Sequence, residues 1–201
     1  METGIREHAL LFALLAKTIL TDPSVEDGET VVRTITRQYG LSRGRRMRRN
    51  ADAAGLEPNL DAFFFTGELE DRPDENSSSL SVCRDCTTSC VHRCGWHAAW
   101  QNFGLLPYGQ YYCMDIDASL AEGFDGTFSL VKAEPISAQN SHCIFVWNEA
   151  SHPQNEKPFL RPYSFHVNEL LETANRVLTD LYPQKAETIL QTVCRMYNDS
   201  L

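Results

Sequence analysis

Apolar residues recur at helical spacing across 5–21, where Ile5, Leu11, Phe12, Leu15 and Ile19 share a wide face. Asp22-Pro23 ends that pattern, because the residue before a proline avoids helical geometry. Ser24 then has the chemistry of an N-cap, and Val31, Ile35 and Tyr39 resume the helical period. The second helix is expected to run through an arginine-rich stretch to about Ala54, with Gly40 and Gly44 as weak points and Gly55 as the stop. A short helix around "NLDAFFFTGEL" follows, and "EDRPDENSSS" reads as an exposed acidic loop. "GWHAAWQNFG" and "YGQYYCMDIDASLAEGF" each suit a helix, the latter closed by Gly123. The period then changes. "TFSLVKA" and "HCIFVWNE" alternate and are rich in β-branched and aromatic residues, which predicts strands at 127–133 and 141–148. In the second strand Cys143, Phe145 and Trp147 point one way, and His142, Ile144 and Val146 the other.

After a proline-rich loop, two stripes predict a pair of terminal helices. One is Val167, Leu170, Leu171, Ala174, Leu178 and Leu181; the other is Ala186, Ile189, Leu190, Val193 and Tyr197, with Pro183 between them. Helices outnumber strands and the strands cluster, so the expected class is α+β: a small, mainly antiparallel sheet packed by N- and C-terminal helices. At 201 residues the chain is expected to form a single domain spanning 1–201.

Charge narrows the function. A net charge of −9 argues against a binder of nucleic acid, which needs clustered positive surface. The exception is "SRGRRMRRN", where Arg43, Arg45, Arg46, Arg48 and Arg49 form a basic helix face. Arg45 and Arg46 are the candidates from it for gripping a substrate carboxylate. No apolar run approaches the ~18 residues of a membrane span, so no membrane partner is expected. The N-terminus lacks the pattern of a signal peptide, which makes the cytoplasm the expected compartment and reduced thiols the expected state.

Thiols are abundant. Of seven cysteines, four lie in "CRDCTTSCVHRCGWHAAW". Cys83, Cys86, Cys90 and Cys94 could offer a metal four thiolates, but four ligands within twelve residues is not the usual zinc-ribbon or finger spacing. No metal and no cofactor is therefore expected, and Cys83, Cys86 and Cys90 read as structural or accessory. A second set is chemically richer. Cys94 and His97 are three apart, and Cys113 and Asp117 four apart, so each pair shares a helix face. With Cys143 they could assemble the thiol, imidazole and carboxylate of nucleophilic catalysis. Trp96 and Trp100 would supply flat walls for a small ring.

The segment "CGWHAAWQNFGLLPYGQYYCMDIDASLAEGF", followed by "HCIFVW", resembles the L-2-amino-thiazoline-4-carboxylic acid hydrolase family. Cys94, Trp96, His97, Trp100, Tyr112, Cys113, Asp117, Gly123, Phe124, Cys143 and Phe145 carry the resemblance, and "YGLSRGRRMRRNADAAG" looks like that family's arginine-rich helix. The departures are Gly95, where the pattern has proline, and the extra thiols Cys83, Cys86 and Cys90. The resemblance implies hydrolysis of a carbon–nitrogen or carbon–sulfur bond in a cyclic amidine, with L-2-amino-thiazoline-4-carboxylate giving N-carbamoyl-L-cysteine. Cys113 would then be the nucleophile, or failing that the thiol that positions the attacking water, His97 the base and later the proton donor, and Asp117 its orienting group or an alternative base, with Cys94 and Cys143 as second choices for the thiol. Two other readings stay open: a related biosynthetic enzyme, for example one closing a ring, and a non-catalytic sensor of a small ligand or metal. The partner in each case is a small molecule; oligomeric state is not legible.

Overall fold

Seven helices and four strands form in the described residues of the computed structural model, which are 3–70, 72–134, 142–153 and 156–201. The helices are α1 (Ile5–Thr21), α2 (Gly28–Ala53), α3 (Leu60–Phe65), α4 (Gly95–Asn102), α5 (Leu106–Phe124), α6 (Tyr163–Leu181) and α7 (Ala186–Ser200). The strands are β1 (Ser77–Val82), β2 (Thr87–Arg93), β3 (Leu130–Glu134) and β4 (Cys143–Trp147), in one antiparallel sheet of order β1-β2-β4-β3. The mixed α and β class is the one the patterning implies. Among the described residues, no helix is long and apolar enough to cross a membrane.

The chain packs as two compact units built from non-contiguous segments. The first unit contains 1–39, 95–115 and 162–201. Its centre is α1, which is buried on nearly every side from Ile5 to Ile19 and packs against α4, α6 and α7. From Ala9 to Ala16 every residue is apolar and buried, so this stretch has no solvent face to offer and becomes the hub. Phe12 meets Tyr112 edge to face at 5.0 Å, and Trp100, 1% exposed, donates its indole N–H to the Ala9 carbonyl at 2.9 Å.

The second unit contains 40–94 and 116–161 and holds the sheet. Its core gathers Met47 and Ala51 of α2, Leu60, Ala62 and Phe63 of α3, Ala121 and Phe124 of α5, and Phe128 and Trp147. The helices on the sheet's apolar face are thus the central ones. Asn59 caps α3 by accepting the Ala62 N–H at 2.9 Å.

Four local expectations are corrected. Asp27, whose carboxylate accepts the Thr30 N–H at 3.2 Å, caps α2, while Ser24 donates its hydroxyl to Asp22. Ser77–Ser79 are the start of β1 and not loop: backbone pairing with β2 outweighs their poor strand propensity on an exposed edge. The third strand begins at Leu130, since Thr127 instead donates its N–H to the Pro58 carbonyl. Residue 141, expected in the fourth strand, lies outside the described residues. Finally, α5 runs through Gly123 to Phe124 and ends at Asp125, whose φ is 53°.

Gly123 and the helical glycines of α2 do a different job. A Cβ on Gly44 would sit 2.2 Å from the Leu120 carbonyl oxygen, and one on Gly123 2.5 Å from that of Leu41. Here α2 and α5 meet backbone to backbone. Replacement of Gly44 by Ala should gain ~1 kcal/mol of helix propensity and lose more through overpacking. The expected outcome for Gly44→Ala is a net loss of about 1–3 kcal/mol, read from the urea midpoint at unchanged slope. An unchanged or raised midpoint would mean the helices can separate there at no cost.

Candidate active site

The stripe that buries α2 passes straight through the arginine run. Tyr39, Arg43 and Met47 recur every four residues and are all buried, Arg43 to 3% exposure. A guanidinium cannot be buried alone, and Glu68, 1% exposed, answers it. Arg46 grips Glu68 with both Nε and Nη2, the latter at 2.8 Å, and Arg43 Nε stands 3.7 Å from the same carboxylate. The Glu68 carbonyl in turn accepts the Arg161 N–H at 2.8 Å. Arg46 is therefore engaged by Glu68, while Arg45 is exposed and Arg48 pairs with Asp52 one turn on at 2.8 Å.

Asp117, on α5, belongs to the same unit. Burial pushes its carboxyl from 3.8 up to about 6, opposed by the positive charge of Arg43. It keeps some side-chain surface but is packed closely by protein, and desolvation wins over the single nearby cation. A carboxyl that exchanges its proton near neutrality is a functional-site candidate on physical grounds. Its sequence neighbour Asp115 has another fate: it accepts Arg33 Nε at 2.8 Å and Nη2 at 3.0 Å, a two-pronged ion pair joining α2 to α5 in the first unit.

His97 lies half-buried on α4, and burial alone lowers its affinity for a proton below the ordinary value of 6.5. The imidazole is thus held neutral near pH 7, as a base requires. Trp96, beside it, donates its indole N–H to His8 Nδ1 at 3.0 Å, and Trp100 is fully enclosed in the first unit's core. Cys113 is half-buried on α5, one turn before Asp117, and Cys94 is half-buried between β2 and α4. Cys143 is buried on the apolar side of β4.

Cys83 and Cys86 are bonded to each other across the β1–β2 turn, where Cys83 also donates its N–H to the Cys86 carbonyl at 2.8 Å. The expectation of reduced thiols is corrected for this pair: the turn brings the two side chains together. Cys90, Cys94, Cys113, Cys143 and Cys194 carry no disulfide. Among the described residues, no three His, Cys, Asp or Glu side chains are grouped so as to hold a metal ion.

Sequence reasoning passed over one buried polar chain in the first unit. Trp96 can only donate, so His8 Nδ1 accepts and His8 Nε2 carries the proton. His8 Nε2 then donates to Tyr39 Oη at 3.2 Å, and that hydroxyl donates to His166 Nδ1 at 3.4 Å. His8, Tyr39 and His166 are each no more than 1% exposed. The signal available for His8 was a histidine directly preceding an unbroken apolar run, Ala9 to Ala16; for Arg43 it was an arginine in register with Ile35 and Tyr39.

A family model described as L-2-amino-thiazoline-4-carboxylic acid hydrolase matches residues 4–147, from the start of α1 to the end of β4. Comparison with curated proteins and with solved structures returned no match.

The Asp117 carboxyl makes stability depend on pH with a definite sign. Its folded affinity for protons exceeds the unfolded one, so between 3.8 and about 6 the folded chain holds more protons and the native state weakens as pH rises. The Asp117→Asn variant lacks this effect. Its stability relative to the parent should therefore rise between about pH 4 and pH 7, by up to about 3 kcal/mol, as read from urea denaturation at each pH. A flat or falling difference would mean that Arg43 outweighs burial at this site.

Proposed function

The chain belongs to the L-2-amino-thiazoline-4-carboxylic acid hydrolase family, and on that premise we propose that it opens the ring of a cyclic amidine such as L-2-amino-thiazoline-4-carboxylate. The family match over 4–147 is the observation that carries this reading. Water ends on the ring carbon that lies between nitrogen and sulfur, the ring carbon–sulfur bond breaks, and N-carbamoyl-L-cysteine leaves with a free thiol.

Cys113 is the proposed nucleophile, since a thiolate adds readily to an amidine carbon. His97, kept neutral by burial, takes the thiol proton and later activates water. Asp117, with its proton affinity raised to about 6, delivers a proton to the amidine nitrogen as the tetrahedral intermediate forms. The ring sulfur departs and takes up a proton. Water then attacks the carbon now held by Cys113, and the second carbon–sulfur bond breaks to restore the thiol. Cys94 and Cys143 are alternative thiols; Cys143 is the weaker one because it is buried against the sheet's core. Arg45 is the arginine proposed for the substrate carboxylate, because Arg46 is already gripped by Glu68. Trp96 is proposed as the wall for the ring in preference to the fully enclosed Trp100.

Incubation of the purified protein with L-2-amino-thiazoline-4-carboxylate, followed by quantitation of N-carbamoyl-L-cysteine and its thiol, tests the reading. Product should form, and His97→Ala should lower kcat by roughly 10²–10⁴-fold. Full turnover by Cys113→Ser alongside loss in His97→Ala would replace covalent catalysis with direct attack by water. Absence of product from this compound and from related 2-amino-thiazolines would overturn the substrate class.

The pH profile separates the roles. Activity should rise as His97 loses its proton below pH 6.5 and fall again above about pH 6 as Asp117 loses its own. Asp117→Asn should remove that falling limb and lower kcat. Arg45→Ala should raise KM and leave kcat nearly unchanged.

A further inference from the structure

The sheet has a second face, and it carries chemistry of its own. Side chains of directly paired residues in an antiparallel sheet lie on the same face, and successive residues alternate. Ser79 pairs with Cys90, and Cys90 with Ile144. Ser79, Cys90 and His92 therefore share the face opposite Cys143 and Trp147, whose side chains are buried on the core side. There Cys90 Sγ stands 3.8 Å from His92 Nδ1, and His92 Nε2 stands 2.8 Å from Ser79 Oγ. The His142 ring meets His92 edge to face at 5.0 Å and braces it from the far side. Ser79 and His92 are exposed, and Cys90 is half-buried.

We propose that Cys90 is a reactive thiol, with His92 as its base and Ser79 as the group that orients the imidazole, and that it takes up small disulfides by thiol–disulfide exchange. With its proton on Nε2, the ring donates to Ser79 Oγ and accepts the Cys90 S–H at Nδ1. After proton transfer both ring nitrogens are donors, one to the thiolate and one still to Ser79. The serine contact thus survives the transfer and holds the ring in place throughout. The Cys90 thiolate attacks one sulfur of the disulfide, the old sulfur–sulfur bond breaks, a new one forms to Cys90, and the departing thiolate takes the proton from His92.

The site is separate from the residues proposed for ring opening, and its test does not depend on that activity.

Oxidised glutathione is the probe. The protein would be incubated with it near pH 7, quenched with acid, and mapped without reduction by peptide mass spectrometry, reading each cysteine by itself. Cys194, a half-buried thiol on α7, is the internal reference. The glutathione adduct at Cys90 is expected to form about tenfold faster than at Cys194. His92→Gln should bring Cys90 to within about twofold of the reference, with Ser79→Ala intermediate. An unchanged, slow rate at Cys143, buried on the core side of the same sheet, would show that both variants are folded. Equal rates at Cys90 and Cys194 in the parent, or a Cys90 rate untouched by His92→Gln, would overturn the proposal.

Discussion

The close approach of two helix backbones organises the second unit. Gly40 and Gly44 of α2 and Gly123 of α5 leave no room for a Cβ, since the opposing atoms include the carbonyls of Ile116, Leu120 and Leu41. Contact at that distance has two effects. It seals Phe124, fully buried, against Phe63 and Phe128. It also brings Arg43, one residue before Gly44, into the electrostatic reach of Asp117 on the facing helix. Bulkier residues at these positions would hold the helices apart and weaken both the packing and the charge contact.

Burying charge so close to the core is costly, and the sequence spends several charged residues on it. Glu68 is enclosed completely and must be matched; it takes two guanidinium groups, one through a two-pronged contact. Such clusters rarely add net stability over a well-packed apolar alternative. What this one does is fix the Arg43 side chain, and through it the balance at Asp117. Burial drives the carboxyl toward its neutral form while Arg43 draws it back, leaving a proton that moves near pH 6. The basic stretch of α2 is therefore only partly a solvated face: Arg45 and Arg49 are exposed, and Arg43 and Arg46 are internal counter-ions.

The cysteine-rich stretch divides by secondary structure. Residues 83–93 form a hairpin turn and a strand, with a disulfide at the turn and a thiol–imidazole pair on the sheet's open face. From Gly95 onward the chain is helical and enters the first unit, where Trp96 reaches the buried His8–Tyr39–His166 chain. The thiols of this stretch end at Cys94, between β2 and α4, and the next one, Cys113, lies on α5. The family match includes both but ends at residue 147, so His166 and the whole of α6 and α7 lie beyond it.

Much of the secondary structure was legible because it depends on local physics. Period and punctuation marked α1 to its last residue, the C-terminal extent of α2 and its stop at Gly55, the α4 and α5 helices and both terminal stripes. The ordered set from Cys94 to Phe145 was enough to point to the family. The serine-rich β1 was not legible, since a strand exposed along its length takes its order from the partner's backbone and not from its own side chains. Nor could sequence assign the glycines, which looked like interruptions and turned out to be points of helix contact. The same limit applied to charge. Only its register with Ile35 and Tyr39 sets Arg43 apart from Arg45, and nothing local distinguishes Asp115 from Asp117; each pair is two residues apart on one helix. Their fates diverged because a helix turns ~100° per residue, and only the packed neighbours decided which side met Glu68, Arg33, solvent or a low-dielectric interior.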